Sequence, residues 1–471
     1  MSDTWDVVVV GGGGAGLAAA VSAAENGRRV IVFESQGALG GSTMESAGMI
    51  TAAGTSVQAA LGVADSPREH FRHYMDLNQW KLKPGLVRRF CEQAGPTFEW
   101  MLGMGLQVPT RLSHNAHSPG LVRAGVEDIW RGHVPEDQGY ALVQVLERRA
   151  RELGVDIILH APVENLRTQE GAVVGVTVDG EPVDADGVVI ASGGFAANRD
   201  LVRRHYPAGL VAHDSGFVAA APGALGDHLR FAHDAGAATT GDGWGLLLIT
   251  ASFQRYHHWR AGFPPVSRLY VSPAGTRFMD EDASYAVAEG LFAQIGGYAW
   301  AIFDSRALHG LPPGGADWCE RGVQQAVDRG EAYLAPTLDE LAGKIGVAAA
   351  LLTATVDGWN RTIPHGEDPV FLRHESLTAK GIDPASVDPI EAPPFYAVRM
   401  IPGELVCTHA GIEIDGDGRA LALDGAPVPG LFAAGEAGAG ILGERYIGGG
   451  NSIANALTMG RLAGAAAAGR R

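Results

Sequence analysis

The chain opens on an apolar run, Val7–Val10, followed by four glycines and a small-residue apolar stretch that reaches Glu25. A short run of β-branched residues without polar alternation is the pattern of a strand buried on both faces, as in a parallel sheet. Leu17–Glu25 predicts a helix, and Asn26-Gly27 ends it, since both residues tolerate the left-handed backbone of a helix C-terminus. Val30–Phe33 predicts the next buried strand. Val7–Glu34 is therefore a strand, turn, helix, strand unit.

Apolar residues then recur at helical spacing through 64–153, around Phe71, Met75, Val87, Phe90, Phe98, Met101, Leu142, Val145 and Leu146. This predicts helices with those residues in the core. Val155–Ile158, Val173–Val178 and Val188–Ala191 are strand-like, separated by the turn signals Gly171, Asp179-Gly180 and Asp186-Gly187. From about Trp244 the rhythm is lost and aromatics crowd the chain, among them Phe253, Tyr256, Phe263, Tyr270 and Phe278. It returns after Pro393-Pro394. The pattern predicts an α/β protein with a discontinuous domain, 1–244 and 393–471, and an inserted α+β domain, 245–392. A length of 471 residues is more than one ordinary core needs.

Composition narrows the classes. A net charge of -17 repels nucleic acid and anionic membrane, so neither is expected as a partner. Cys91, Cys319 and Cys407 are too few and too dispersed for a disulfide framework or a metal cluster, which points to a reducing cytoplasm. With the first strand this near the start of the sequence, no signal peptide is expected. The uncharged Val7–Ala24 is not a membrane span, because four consecutive glycines make a poor helix interior.

The glycines carry the first chemistry. Gly11, Gly13 and Gly16 fit G-x-G-x-x-G, with Gly14 and Ala15 at the helix start, the arrangement that seats a pyrophosphate on a helix N-terminus. Glu34, followed by Ser35, ends the second strand where a carboxylate accepts ribose hydroxyls. This much fits FAD or NAD equally.

The resemblance to a family comes from later elements. Gly40, Gly41, Ser42 and Thr43, with Ala47 and Gly48 behind them, resemble the second Gly-Gly-Ser/Thr element of FAD proteins. So do the strand and glycine pair at Ala191, Ser192 and Gly193 with Asn198 beyond, the helix start Gly226-Asp227, and Val163 at an adenine-facing position. Together with GTRFMDE at 275–281 and GLFAAGEAGAG…GGGNSIANALTMGRLAG near the C-terminus, these resemble the fumarate reductase and succinate dehydrogenase flavoprotein superfamily. The resemblance implies a Rossmann-like, GR2-type FAD-binding domain interrupted by a capping domain, and hydride exchange between a C–C bond and flavin N5. It also implies that Gly435 and Glu436 hold ribityl or ribose hydroxyls, and that Asn451, Ser452 and Ile453 open a helix aimed at the flavin.

The substrate positions depart from fumarate reductases. Tyr285 stands where those enzymes carry a catalytic arginine, Cys407 replaces a clamp histidine, and the H-G-x-N-R clamp gives way to Gly443–Gly450. Tyr285 and Tyr446-Ile447-Gly448-Gly449-Gly450 are similar instead to 3-ketosteroid Δ1-dehydrogenases and cyclic-ketone desaturases, although Met101–Arg123 offers no match for those enzymes' additional N-terminal-domain tyrosine. That branch implies Tyr446 and Gly450 as donors to a carbonyl oxygen and Tyr285 as base. The expectation is an FAD-dependent desaturase of a 3-ketosteroid, or of a smaller ring such as 4-oxocyclohexanecarboxylate, with an unidentified electron acceptor. A fumarate-reductase-like enzyme and a non-catalytic flavoprotein stand as alternatives. Arg255, His257, His258, Arg260 and Arg445 are either a solvated polar set or a carboxylate site.

Overall fold

In the computed structural model, which describes residues 4–115, 118–124 and 129–469, the strand Trp5–Val10 runs parallel between Val30–Phe33 and Glu181–Ile190. Both of its faces are covered, so Val7, Val8 and Val9 have no exposed surface. That is why the sequence shows no alternation there. Asp156–Ile158 and Pro427–Ala433 extend the sheet in parallel on its two sides. The sheet thus takes strands from sequence positions hundreds of residues apart.

The chain divides into two units, Met1–Ala208 with Ala220–Leu246 and Cys407–Arg471, and Gly209–Ala219 with Leu247–Val406. In the first unit, the helices Gly14–Glu25 and Asn451–Ala468 pack closely enough that a Cβ at Gly464 would lie 2.1 Å from the Ala19 carbonyl oxygen. Ser22 Oγ, and Arg28 Nε just beyond the first helix, donate to the carbonyls of Arg461 and Ala468 at 2.8 and 2.6 Å. No helix of the described residues is long and apolar enough to cross a membrane.

One expectation is corrected. Residues 64–153 are not all helical: Leu112–Ser113, Gly120–Ala124 and Ile129–Val134 form a small sheet with Ile50–Thr51. These short segments pair with sequence neighbours and a distant edge, and so lack the length that makes a period legible. The domain boundary at 393 falls just before the strand Phe395–Thr408, whose residues up to Val406 belong to the second unit. That strand is the spine of the second unit's sheet, in the order Phe217–Val218, Phe395–Thr408, Ala299–Asp304, Leu269–Val271. Gly245–Ala251 and Ala332–Ala335 also pair with it.

Candidate active site

The glycine cradle is built by contact. Gly11 has φ 102°, and a Cβ there would meet the Ala191 carbonyl oxygen at 2.5 Å; one at Gly16 would lie 1.8 Å from the Gly11 carbonyl oxygen. Neither backbone oxygen can move aside, so the turn admits only glycine. Above Gly13 the space is open: a Cβ would find nothing nearer than Gly40 at 3.9 Å, and Gly193 has nothing within 4 Å. The helix Gly14–Glu25 begins without a side-chain cap on Gly13, which leaves its first amides directed at that opening. Gly13 bridges Gly40, so the two glycine elements lie side by side. A phosphate anion fits such a cradle.

Glu34 has a second task that the sequence did not suggest, since its Oε2 accepts the Gly12 amide at 2.7 Å and its Oε1 the Gln36 amide at 2.8 Å. Ser35 Oγ adds a longer bond to Oε1 at 3.3 Å. A carboxylate retains lone pairs beyond these. Ser42 Oγ accepts from the Ala221 N–H, the Gly48 N–H donates to Ser46 Oγ, and Thr43 is buried beside Gly14. Asn198 is occupied as a cap, its Oδ1 accepting from Asp200 and Leu201 and its amide donating to Leu225. Gly226, at φ 89°, precedes the helix Asp227–Ala235, and Val163 begins a strand paired with Val178. Ser192 Oγ, Asn451 Oδ1 and Asn455 Oδ1 are buried without a hydrogen-bond partner, the state expected of groups that meet a ligand. Open space, uncapped amides and orphaned polar atoms together fit a bound dinucleotide.

The loop that carries Tyr446 is stapled from several elements. Tyr74, on the helix Pro67–Leu77, donates to the Ile441 carbonyl at 2.5 Å and accepts from the Asn451 side-chain Nδ2 at 2.6 Å. Asn78 grips the Arg445 backbone at both ends, accepting its N–H at 3.0 Å and donating to its carbonyl at 3.1 Å. His409 Nδ1 meets the Gly443 carbonyl at 2.7 Å, and its ring stacks on Tyr446 with centroids 6.2 Å apart. Each such bond contributes about 0.5–1.5 kcal/mol. Jointly they fix one loop conformation.

Within that loop, Tyr446 Oη accepts from the Ser452 amide at 2.8 Å and from Ser452 Oγ at 3.0 Å, at the start of the helix Asn451–Ala468. Burial pushes the phenol well up, so it stays protonated at neutral pH. Two bonds into the oxygen strengthen its O–H as a donor. The helix is capped by neither Asn451 nor Ser452; its N-cap is Gly450, at φ 85°, where a Cβ would crowd Met49 and Thr51. No described residue accepts the Gly450 amide N–H. Beside this start, Cys407 Sγ lies 3.3 Å from His409 Nε2 and 3.7 Å from Ser452 Oγ. Burial raises the thiol and lowers His409 to about 4, so both are uncharged near neutrality.

Tyr285 stands in the second unit, half-buried, as the first residue of the helix Tyr285–Gln294 behind the N-cap Ser284. The preceding acids form an ion network. Glu281 takes Arg277 Nε and Nη2 at 2.8 and 2.7 Å, Arg277 also meets Asp368 at 2.7 Å, and the fully buried Arg373 donates to Asp282 at 2.8 Å. The motif residues thus brace the turn that leads into Tyr285. The four side chains near 257 are already engaged: Arg255 pairs with Glu331 at 2.8 Å, Arg260 lies over the Tyr256 ring, and both histidines face Glu404. They do not form one cationic patch.

Residues 6–453 match the family described as FAD binding domain. This chain belongs to that family. It is an FAD-dependent oxidoreductase of the fumarate reductase and ketosteroid dehydrogenase superfamily, and FAD is its cofactor. It is 30% identical over 99% of its length to the NADH:fumarate oxidoreductase of Klebsiella pneumoniae (strain 342), and spans 48% of that protein. It is 30% identical over 74% of its length to the 3-oxosteroid 1-dehydrogenase of Mycobacterium tuberculosis (strain ATCC 25618 / H37Rv), and covers 67% of that protein. Among solved structures, the 3-ketosteroid-Δ4-(5α)-dehydrogenase of Rhodococcus jostii RHA1 in complex with 4-androstene-3,17-dione aligns with a TM-score of 0.80 at 26% identity, covering 99% of this chain and 98% of that one.

In this flavoprotein Thr408 donates its amide and hydroxyl to Glu436 Oε1 at 2.6 and 2.8 Å. Burial raises the Glu436 carboxyl to about 7 against the opposing pull of those two bonds. If FAD hydroxyls donate to it, FAD binding favours the ionised form. FAD affinity of the apoprotein is then expected to be about tenfold weaker at pH 6 than at pH 8. Flavin fluorescence quenching measures it, and Glu436→Gln should flatten the profile.

Proposed function

We propose that this flavoenzyme introduces a C=C bond beside the carbonyl of a cyclic ketone. Tyr446 and the Gly450 amide hold the carbonyl oxygen, and Tyr285 takes the α proton. The observation that carries the reading is the Tyr446 hydroxyl, protonated, buried and braced by Ser452, two residues beyond the Gly450 amide, which has no acceptor among the described residues. A ketone α proton is too weakly acidic for a side-chain base unless donors meet the developing oxyanion, and two fixed donors supply that. Bound FAD supplies the acceptor for the β hydride.

The surroundings support a ketone over a dicarboxylate. A dicarboxylate needs fixed cations, whereas Cys407 and His409 beside Tyr446 are uncharged near neutrality. With Arg255, His257 and His258 committed to acidic partners, an apolar ring of the 3-ketosteroid kind is favoured over one that bears a carboxylate. The likeness to the Rhodococcus enzyme points the same way. A second reading, reduction of an unsaturated acid, is favoured by the match to the Klebsiella fumarate oxidoreductase across nearly the whole chain. An anaerobic screen separates the two: 3-ketosteroids and cyclohexanones are expected to bleach the flavin, and succinate is not. Bleaching by succinate alone, or reoxidation of the reduced protein by fumarate and not by an enone, would overturn the ketone reading.

A further inference from the structure

His257, His258 and Glu404 lie together in the second unit and take no part in the chemistry above. Glu404 sits on the strand Phe395–Thr408 with none of its side chain exposed, and its Oε1 faces Nδ1 of His257 and, at 3.5 Å, Nδ1 of His258. Its Oε2 is buried without a hydrogen-bond partner. The imidazoles stand nearly perpendicular, at 87° with centroids 4.1 Å apart. One ligand atom from each of the three residues falls within 4.8 Å of the other two.

The turn that bears the histidines is held on both flanks. Asp317 Oδ2 accepts the amides of Arg255 and Tyr256 at 2.9 and 3.1 Å, and the Ala261 carbonyl accepts those of Asp317 and Trp318 at 3.0 and 2.8 Å. The dyad is therefore preorganised over the carboxylate. The two histidine side chains are 24% and 28% exposed, which gives an ion a path to the buried oxygen.

An ion pair accounts for this cluster poorly. A hydrogen-bonded pair would leave Oε2 buried without a partner. We propose that His257, His258 and Glu404 bind one divalent transition cation, zinc being the type, through two imidazole nitrogens and a carboxylate oxygen. Three protein ligands of this kind suit zinc and leave a fourth position for water. The cation would tie the 254–261 turn to the long strand.

The test uses FAD-loaded, tag-free protein dialysed against chelator and titrated with Zn²⁺ alone in a calorimeter at neutral pH. The expected result is about one zinc per chain, with a zinc-edge X-ray absorption spectrum of nitrogen and oxygen ligands at about 2.0–2.2 Å. His257→Ala/His258→Ala, which changes only half-exposed side chains, should lower the affinity at least about 100-fold while its flavin absorbance stays that of the wild type. Glu404→Gln is a second variant with the same expectation. Failure of the wild type to bind zinc, equal binding by the double variant, or sulfur ligands in the spectrum would each overturn the proposal.

Discussion

Replacing Tyr285 with Phe is expected to slow substrate-driven flavin reduction by about 10²–10⁴-fold, the range for removal of a general base, with FAD content unchanged. Tyr446→Phe should cost about 10²–10³-fold, the range for one oxyanion donor. Stopped-flow absorbance under anaerobic conditions, with a ketone that bleaches the wild type, measures both. Their pH signatures should differ. Burial keeps the Tyr446 phenol protonated across the neutral range, so the residual rate of Tyr446→Phe should follow the wild-type profile. Residual turnover of Tyr285→Phe should lose the basic dependence that a phenolate base imposes. Wild-type rates in Tyr285→Phe would remove that residue from the mechanism.

Arg373→Met should destabilise the second unit by about 3–5 kcal/mol, because it strips a buried partner from acids that stay buried. Arg373 has no exposed surface, and besides Asp282 it serves the carbonyls of Arg268 and Val266 at 2.8 and 2.6 Å. Trp359, whose ring lies 5.0 Å from its guanidinium, gives a local fluorescence signal for denaturant unfolding. A loss below 1 kcal/mol would mean that Arg268, Arg277 and Lys380 suffice for Glu281 and Asp282. The network also sets an acid limit. Burial raises Asp368, but the bond and charge of Arg277 outweigh it and bring the carboxyl to about 2. A carboxylate depressed in the folded state stabilises above its unfolded value of about 3.9 and loses that contribution as pH falls. Unfolding of the second unit should therefore set in as pH drops from about 4 toward 2.

The dinucleotide site was legible in the sequence because its glycines have a steric meaning: Gly11 and Gly16 stand where backbone oxygens leave no room for a Cβ. The staples of the Tyr446 loop were not. Tyr74 belongs to the apolar stripe of a helix and reads as core, and its role depends on a partner more than three hundred residues away. Asn78 and His409 are single polar residues with no motif around them. The run from Arg255 to Arg260 left two readings open, since Arg255, His257 and His258 meet acids that the local pattern does not contain. A position's neighbours along the chain report on its period and sterics, whereas its charge balance is settled by residues far off.

The close seam between the helices Gly14–Glu25 and Asn451–Ala468 has a kinetic consequence. Gly460 and Gly464 let the later helix sit directly on Ala15 and Ala19 of the earlier one. During synthesis the cofactor cradle therefore waits for more than four hundred further residues before its back wall exists. Contacts of such separation form late. Until then the apolar face of the early helix is exposed to chaperones and to other nascent chains, and flavin capture over this span follows translation. Losing the second half of the later helix, from Gly460 onward, would leave that cradle without its back wall, far out of proportion to the few residues removed.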